Sequence, residues 1–273
     1  LAHAYDRCRA NKGTPGSDGQ TFHDIERYGR ERWLGELALA LRDEKYQPEA
    51  IKRVFIPKAN GKLRPLGLSN LRDRVCMIAA AVLVFDPIFE TDLAPDQYAY
   101  REGRSGTARV SIKTGLSNGF PEVVDADLSA YFNTIPHLEL MQCVARRVVD
   151  SKVLGLVKSW LECAVEAIDL NGRRVPTTVC RDTGQGIPQG APISPLLANR
   201  YMRRFILGWQ RWSVSRQLDA RIVHYADDLV ILCRKGTADK SLTAMRALMT
   251  RLKLTVNEEK TRTCHAGRAH FDF

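Results

Sequence analysis

Four acidic residues occupy two short apolar segments whose spacing suits chemistry on phosphate. Asp125 and Asp127 lie in VVDADLSAYF, and Asp227 and Asp228 lie in RIVHYADDLVILC. Residues two apart on a strand share a face, and the adjacent pair would stand at the tip of a hairpin. Carboxylates that converge repel one another and need a cation, and oxygen ligands suit Mg²⁺. Two such ions clamp the attacking and leaving oxygens of an in-line phosphoryl displacement, which is the chemistry of nucleotidyl transfer.

A purely structural role for the Asp-Asp pair stays open on this motif alone, because Asp accepts tight-turn geometry. The apolar strands on both sides of the pair, the acidic strand upstream and the basic charge of the chain favour the metal-binding interpretation.

Hydrophobic patterning predicts the elements that would position these carboxylates. Helices are predicted over residues 24–45, 73–93, 136–149, 151–167 and 238–253, and in the second part of 186–209, with Ser194 as the N-cap of that helix. Strands are predicted in a basic hairpin over 51–69, over 121–132 and in a hairpin over 220–234, with a loop over 7–23. The order after residue 122 favours an α+β sheet with helices on one face, in which the first strand and the carboxylate hairpin are neighbours.

Composition favours a globular protein with a polyanionic partner. The chain of 273 residues is 44% hydrophobic and carries a net charge of +10, and its basic residues cluster. There is no apolar run of about 18 residues and no signal-peptide pattern, so we expect a cytoplasmic protein without a membrane span. Seven scattered cysteines without a CxxC pair indicate free thiols. Cys264, His265 and His270 lack a fourth zinc ligand, so a polar loop is expected there.

Several motifs together resemble those of a known family. YADD resembles the metal-binding hairpin of reverse transcriptases, VVDADLSAYFNTIPH the first metal-binding strand, and IPKANGKLRPLGL the fingers hairpin. GQGIPQGAPISPLLANRYM resembles the template-positioning loop and helix, and LKLTVNEEKT the motif after the hairpin. NKGTPGSDGQTF resembles the extra N-terminal fingers loop of group II intron-like enzymes. The chain therefore resembles a bacterial group II intron-like reverse transcriptase over nearly its whole length.

This resemblance implies an α+β right-hand polymerase fold, with an antiparallel palm sheet backed by helices and a fingers subdomain. We expect fingers over 1–120 and palm over 121–273, with 153–190 partly returning to the fingers. The chain stops inside what resembles the primer-gripping motif, so the thumb and any C-terminal domains are expected to be missing, and weak primer–template binding is expected of this portion.

The resemblance also implies site residues, by matching position. Two Mg²⁺ ions, with Mn²⁺ as a substitute, would be held by Asp127, Asp227, Asp228 and the backbone of Leu128. The incoming dNTP would meet Lys58, Lys62, Arg64, Ala130, Tyr131, Phe132 and Gln189. Template and primer would meet Arg101, Arg104, Gly190 and Tyr225. Lys260 would be the catalytic general acid for the pyrophosphate leaving group. Phe132 would stand where a ribose 2′-OH would lie, which favours deoxynucleotides. Ordinary surface charge, or core packing for Phe132, is the alternative interpretation of these side chains.

Two functions follow from the resemblance. The first is an RNA-directed DNA polymerase, a nucleotidyltransferase that uses an RNA template, a DNA or RNA primer and dNTPs. The second is an RNA-binding maturase or splicing cofactor in which the polymerase site is secondary or idle. Intron RNA and CRISPR- or defence-associated proteins are further partners that the resemblance allows.

Overall fold

Two units divide the chain, and the backbone passes between them three times. The computed structural model describes residues 1–57, 61, 63–168 and 174–266. The first unit contains residues 1–88 and 136–194, and the second contains residues 89–135 and 195–273. The predicted boundary between fingers and palm lay at 120/121, whereas the first division between the units lies at 88/89. The assignment of fingers and palm remains a prediction.

Helices and strands alternate irregularly along both units. The helices are α1 (Ala2–Ala10), α2 (Phe22–Tyr28), α3 (Arg30–Arg42), α4 (Leu71–Ala80), α5 (Asp86–Phe89), α6 (Ser105–Ser117), α7 (Tyr131–Thr134), α8 (His137–Ala145), α9 (Ser151–Leu161), α10 (Val179–Thr183), α11 (Ser194–Arg211), α12 (Ser213–Leu218) and α13 (Ala238–Arg251), with a π-helical turn over Ala81–Phe85. The strands are β1 (Lys52–Pro57), β2 (Leu63–Leu68), β3 (Glu122–Asp127), β4 (Val165–Ile168), β5 (Arg174–Thr177), β6 (Arg221–Tyr225), β7 (Asp228–Cys233) and β8 (Arg262–His265). Of the helices described, none combines the length and the apolar composition that crossing a bilayer requires.

The first unit joins helices to two small hairpins. Strand β1 pairs antiparallel with β2, and β4 pairs antiparallel with β5. Ile51, just before β1, forms a parallel bridge with Val165. The helix predicted over 151–167 is therefore wrong in its last third, because residues 165–168 pair in a sheet. The loop predicted over 7–23 is also wrong at its start, where residues 7–10 complete α1.

Two further details of the prediction differ from the structure. Gly29, with φ of +108°, interrupts the helix predicted over 24–45 and separates α2 from α3. Ser194 begins α11, but its hydroxyl donates to the carbonyl of Pro188 at 2.8 Å and so stabilises the preceding loop.

The second unit is built on a four-stranded antiparallel sheet with the order β6-β7-β3-β8. One face packs on α6, where Ala108 and Ile112 share an apolar cluster with Val123 and Val230. The opposite face carries Cys233, whose thiol contacts Ser241 of α13. Helices therefore cover both faces of this sheet, and the prediction of helices on one face is wrong. The predicted neighbourhood of the first strand and the hairpin is confirmed, because β7 pairs directly with β3.

Candidate active site

The paired carboxylates stand at a tight hairpin. Strands β6 and β7 are joined through Ala226 and Asp227, and Tyr225 pairs with Asp228 across the turn. Ala226, the first residue of this two-residue turn, has φ of +59°, whereas Asp227 does not have a positive φ. Hairpin turns with positive φ at the first central residue match the twist of the flanking strands. Ile222 and Val223 of β6 and residues 229–233 of β7 are buried, so the turn projects the two carboxylates from a rigid base.

The first acidic strand brings Asp127 beside Asp228. These two residues are direct partners in the β3–β7 register, and such cross-strand side chains stand about 5 Å apart. Asp125 lies two residues back on the same face and pairs with Arg262 of β8, whose Nε lies 3.3 Å from its carboxylate. Asp227 occupies the turn and is exposed, and its carbonyl accepts the Leu128 N–H at 3.3 Å.

Burial and crowding of negative charge both act on the carboxyl group of Asp228. Partial desolvation of its carboxyl group, followed by repulsion from Asp227, Asp127 and Asp125, raises its pKa to about 6, against a smaller opposing effect of Lys260. The carboxyl nevertheless keeps exposed surface, so water or a bound cation can reach it. This arrangement favours the arrival of positive charge.

The ammonium group of Lys260 forms an ion pair with Asp127. Its Oδ2 atom accepts from Lys260 Nζ and from Asn257 Nδ2, each at 3.0 Å. The hydrogen bond from Lys260 to Asp127 is the main reason why the pKa of Lys260 is raised. The Asn257 N–H also donates to the Asp127 carbonyl at 2.9 Å. Sequence reasoning missed Asn257, although it lies in the quoted motif LKLTVNEEKT, three residues before Lys260.

These oxygen donors suit a hard divalent cation in their chemistry. Among the described parts of the chain, no three His, Cys, Asp or Glu side chains are grouped closely enough to hold a metal ion. Mg²⁺ is usually bound through one or two carboxylates, with waters and substrate phosphates completing its shell. The adjacent Asp127 and Asp228, with the raised pKa of the latter, fit that mode of binding. His270, considered with Cys264 and His265 for zinc, lies outside the described residues.

The residues after β3 turn sharply away from the sheet. Leu128 is buried and forms a bridge with Val256. Ala130 is exposed, has φ of +47°, and precedes α7. Tyr131 is buried and donates from its hydroxyl to the Ala198 carbonyl at 2.7 Å. Phe132 is half-buried and meets Tyr131 edge-on with ring centroids 5.6 Å apart. Of the two aromatic residues, Phe132 is the one with surface left for a ligand.

Arg101 has a structural environment that the sequence did not indicate. Its side chain is only 4% exposed and forms an ion pair with Glu90 at 2.6 Å. The same guanidinium donates to the carbonyls of Ala94 and Gln97. With its donors used inside the second unit, Arg101 is not placed to bind a template phosphate, so this predicted contact is corrected. Arg104, at the start of α6, is half-buried.

The predicted nucleotide-binding residues of the first unit centre on strand β2. Arg64 is exposed on β2. The Gly67 N–H donates to the carbonyl of Gln189 at 2.6 Å, which ties the loop that contains Pro188, Gln189 and Gly190 (the PQG loop) to this strand. Gly190 has φ of +101°, and a Cβ atom on it would lie 2.5 Å from the Gly67 carbonyl oxygen. Lys58 and Lys62 lie outside the described residues.

Tyr225, predicted to meet template or primer, is half-buried beside Asp228 and packs partly on the α6 cluster. Its apolar ring therefore already supports the hairpin. Gly190 is exposed on the PQG loop of the first unit. The two residues belong to different units.

The second unit has an antiparallel sheet with neighbouring carboxylates at one end of its two central strands, as expected of the predicted palm. Comparison with known families agrees, because residues 56–271 match the model of the reverse transcriptase (RNA-dependent DNA polymerase) family. The chain belongs to this family. The predicted membership and the predicted α+β right-hand polymerase fold are thereby confirmed.

Individual relatives support the same family. The chain is 33% identical to Protein YkfC of Escherichia coli, over 98% of this chain and 77% of YkfC. It is 27% identical to the group II intron-encoded protein LtrA of Lactococcus lactis, over 75% of this chain but only 33% of LtrA. A solved structure of telomerase from Candida albicans with a fragment of telomeric RNA is similar in fold, with a TM-score of 0.56 at 11% identity, over 88% of this chain and 47% of that one.

Proposed function

We propose that the protein is an RNA-directed DNA polymerase that adds dNTPs to a primer 3′-OH by two-metal-ion nucleotidyl transfer. The observation that carries this proposal is the register pairing of Asp127 with Asp228, next to Asp227 in the turn. The hairpin does not need three acidic residues at one end of a sheet in order to fold. Their mutual repulsion costs folding free energy, so a purely structural role does not explain them. The excess of positive charge in the chain supports a nucleic-acid substrate.

The chain's own residues would bind and orient the reacting groups. Asp127 and Asp228, which are register partners, would hold Mg²⁺ together with the backbone at Leu128. Asp227 is proposed as a third ligand that would have to move closer, because the described structure does not group three such side chains. When bound, the metal would neutralise charge at the attacking and leaving oxygens. Lys260 is proposed to donate a proton to pyrophosphate. Its hydrogen bond to Asp127 raises its pKa and so makes it a weaker acid while the two residues are paired.

Nucleotide selection is assigned to other residues. Phe132 keeps exposed surface near the end of β3 and is proposed to exclude a ribose 2′-OH, which favours dNTPs. Arg64 and Gln189 are proposed to bind the incoming nucleotide, with Ala130 and Tyr131 shaping the backbone next to Phe132. Arg104 remains a proposed phosphate contact of template or primer.

A second candidate is an RNA-binding splicing cofactor, and the similarity to the intron-encoded protein LtrA favours it. In that case the basic surface would bind intron RNA and the carboxylates would contribute little. The two functions can reside in one protein.

Incorporation of labelled dTTP on an oligo(dT)-primed poly(rA) template tests the proposal. We expect Mg²⁺-dependent incorporation by the protein and its loss in Asp227→Asn, with RNA binding unchanged. Glu259→Gln removes one exposed negative charge from the same unit and serves as the matched control. Absence of incorporation by the unaltered protein, with RNA binding intact, would favour the splicing cofactor.

A further inference from the structure

A buried histidine lies directly beneath the carboxylate turn. The side chain of His224 is 1% exposed at the end of β6. Its Nε2 atom lies 2.7 Å from the carbonyl oxygen of Ala226. A carbonyl only accepts hydrogen bonds, so the imidazole must carry its proton on Nε2. Burial lowers the pKa of His224 to about 4, and the ring is neutral at physiological pH.

The residue whose carbonyl accepts the hydrogen bond from His224 has an unusual backbone conformation. Ala226 has φ of +59°, a left-handed conformation that costs about 1–2 kcal/mol for a residue with a Cβ atom. The peptide that follows its carbonyl begins Asp227. Orientation of this carbonyl therefore fixes the direction in which the turn presents Asp227 and Asp228. A hydrogen bond to it stabilises one orientation of the turn.

The backbone that carries the imidazole is itself fixed. The His224 N–H donates to the Asp96 carbonyl, and the Tyr98 N–H donates to the His224 carbonyl, each at 3.0 Å. Between them, the buried Gln97 donates to the Asn199 carbonyl of α11 at 2.8 Å. The edge strand β6 thus gains a second neighbour at this one residue. Hydrogen bonds on both sides of β6 therefore fix the backbone that carries the imidazole.

The other ring nitrogen of His224, Nδ1, contributes nothing to the packing of the core. Nδ1 of His224 is buried and has no hydrogen-bond partner among the described residues. Leaving a buried acceptor unpaired costs about 1–3 kcal/mol, so an aliphatic side chain would satisfy core packing better. A histidine at this position is therefore better explained by its one hydrogen-bond donor, the Nε2–H group, than by core packing.

We propose that His224 is a positioning residue, whose neutral imidazole donates from Nε2 to the Ala226 carbonyl and holds the left-handed turn that presents Asp227 and Asp228. This inference rests on the proposed function only in its kinetic consequence. The geometric part, that His224 orders the turn, can be tested without any polymerase activity.

Two substitutions separate the donor from mere volume. His224→Met fills the space without a donor, whereas the amide nitrogen of His224→Gln can reach the position of Nε2. Because small misplacements of catalytic groups cost up to about 100-fold in rate, we expect His224→Met to lower kcat by at least about tenfold. We also expect a higher Mg²⁺ concentration for half-maximal rate, with the KM for dTTP changed less than about twofold. His224→Gln should retain most of kcat.

A second-site substitution sharpens the test. Glycine adopts positive φ at no steric cost, so Ala226→Gly should recover part of the kcat lost in His224→Met. Tyr201→Phe is the matched control, because it removes a buried hydroxyl that donates to the Leu252 carbonyl at 2.7 Å in the same unit. It should lower the melting temperature comparably and leave the Mg²⁺ dependence unchanged.

Two spectroscopic measurements are independent of turnover. In protein labelled with ¹⁵N-histidine, the His224 signals should report a proton on Nε2 and none on Nδ1. Exchange of the Leu128 amide, which donates to the Asp227 carbonyl, should be faster in His224→Met than in His224→Gln or Tyr201→Phe. A proton on Nδ1, unchanged Leu128 exchange in His224→Met, or equal impairment of the Met and Gln variants would overturn the proposal. If the unaltered protein does not incorporate dTTP, the proposed function fails while these two measurements still decide the role of His224.

Discussion

Replacement of Asp228 by asparagine is expected to stabilise the metal-free protein at neutral pH. The pKa of Asp228 is raised from its ordinary value of 3.8 to about 6, first by desolvation and then by three neighbouring carboxylates. A raised pKa means that the folded state favours the protonated form. Ionisation of Asp228 therefore disfavours folding above about pH 6, and this penalty disappears as the pH falls below about 4.

The expected size follows from the displacement of the pKa. A change from 3.8 to about 6 corresponds to about 3 kcal/mol. The carboxyl keeps exposed surface, so screening by water reduces the expected gain to about 1 kcal/mol. For a chain of this length, that amounts to a rise of about 2 °C in melting temperature.

Thermal unfolding in EDTA at pH 7.5 and pH 4 tests this prediction. Asp228→Asn should melt above the unaltered protein at pH 7.5 and equally at pH 4, while Glu259→Gln should show neither effect. Addition of Mg²⁺ should raise the melting temperature of the unaltered protein more than that of Asp228→Asn. A variant that is destabilised at pH 7.5, or stabilised equally at both pH values, would refute the electrostatic reasoning.

Three further predictions concern residues outside the hairpin. Lys260→Met should lower kcat by about 100-fold, as expected for loss of a general acid, without weakening Mg²⁺ binding measured by calorimetry; weaker binding would mean that Lys260 supports the metal site. Gly67→Ala would place a methyl group 2.7 Å from Ile51 and 3.1 Å from the Gln189 carbonyl; we expect a loss of about 1–3 kcal/mol and a higher KM for dTTP, and an unchanged KM would count against the role of Gln189. Arg101→Gln should destabilise the protein by about 2 kcal/mol and leave the salt dependence of RNA binding unaltered. Arg104→Gln should instead reduce the slope of log K against log salt concentration by about one. The opposite result would restore Arg101 as a phosphate contact.

The carboxylate hairpin was predictable because its signals are local. Apolar and β-branched residues run on both sides of YADD, and the strand–turn–strand pattern fixes the register without distant information. The first half of the strand predicted over 121–132 is confirmed as β3, and its pairing with β7 places Asp127 beside Asp228 as expected. The second half is wrong, because β3 ends at Asp127 and residues 131 and 132 belong to α7. The direction and size of the pKa shift at Asp228 followed only from the structure, because they depend on its burial and on how close the neighbouring carboxylates lie.

Other features depended on contacts between distant residues. Residues 165–168 follow a helical segment and contain helix-forming side chains, but they form a strand that pairs with β5 and bridges to the distant Ile51 through Val165. Helix α6 is rich in Gly, Ser and Thr, and it forms because Ala108 and Ile112 pack on the sheet. The role of Arg101 depends on Glu90 and on the fold of the intervening loop, so a basic cluster in the sequence indicated a nucleic-acid contact that the structure does not offer.

The order of the strands has a consequence for synthesis of the chain. The central strand β3 ends at Asp127, yet its two partners, β7 and β8, end at Cys233 and His265. At about 5–20 residues per second, a ribosome needs on the order of 5–20 s to make the residues that separate β3 from β7. During that interval β3, whose Val123, Val124 and Ala126 are buried in the folded protein, lacks both of its partner strands. Nascent chains of this protein should therefore depend on chaperones, and slower growth at low temperature should improve the yield of folded protein.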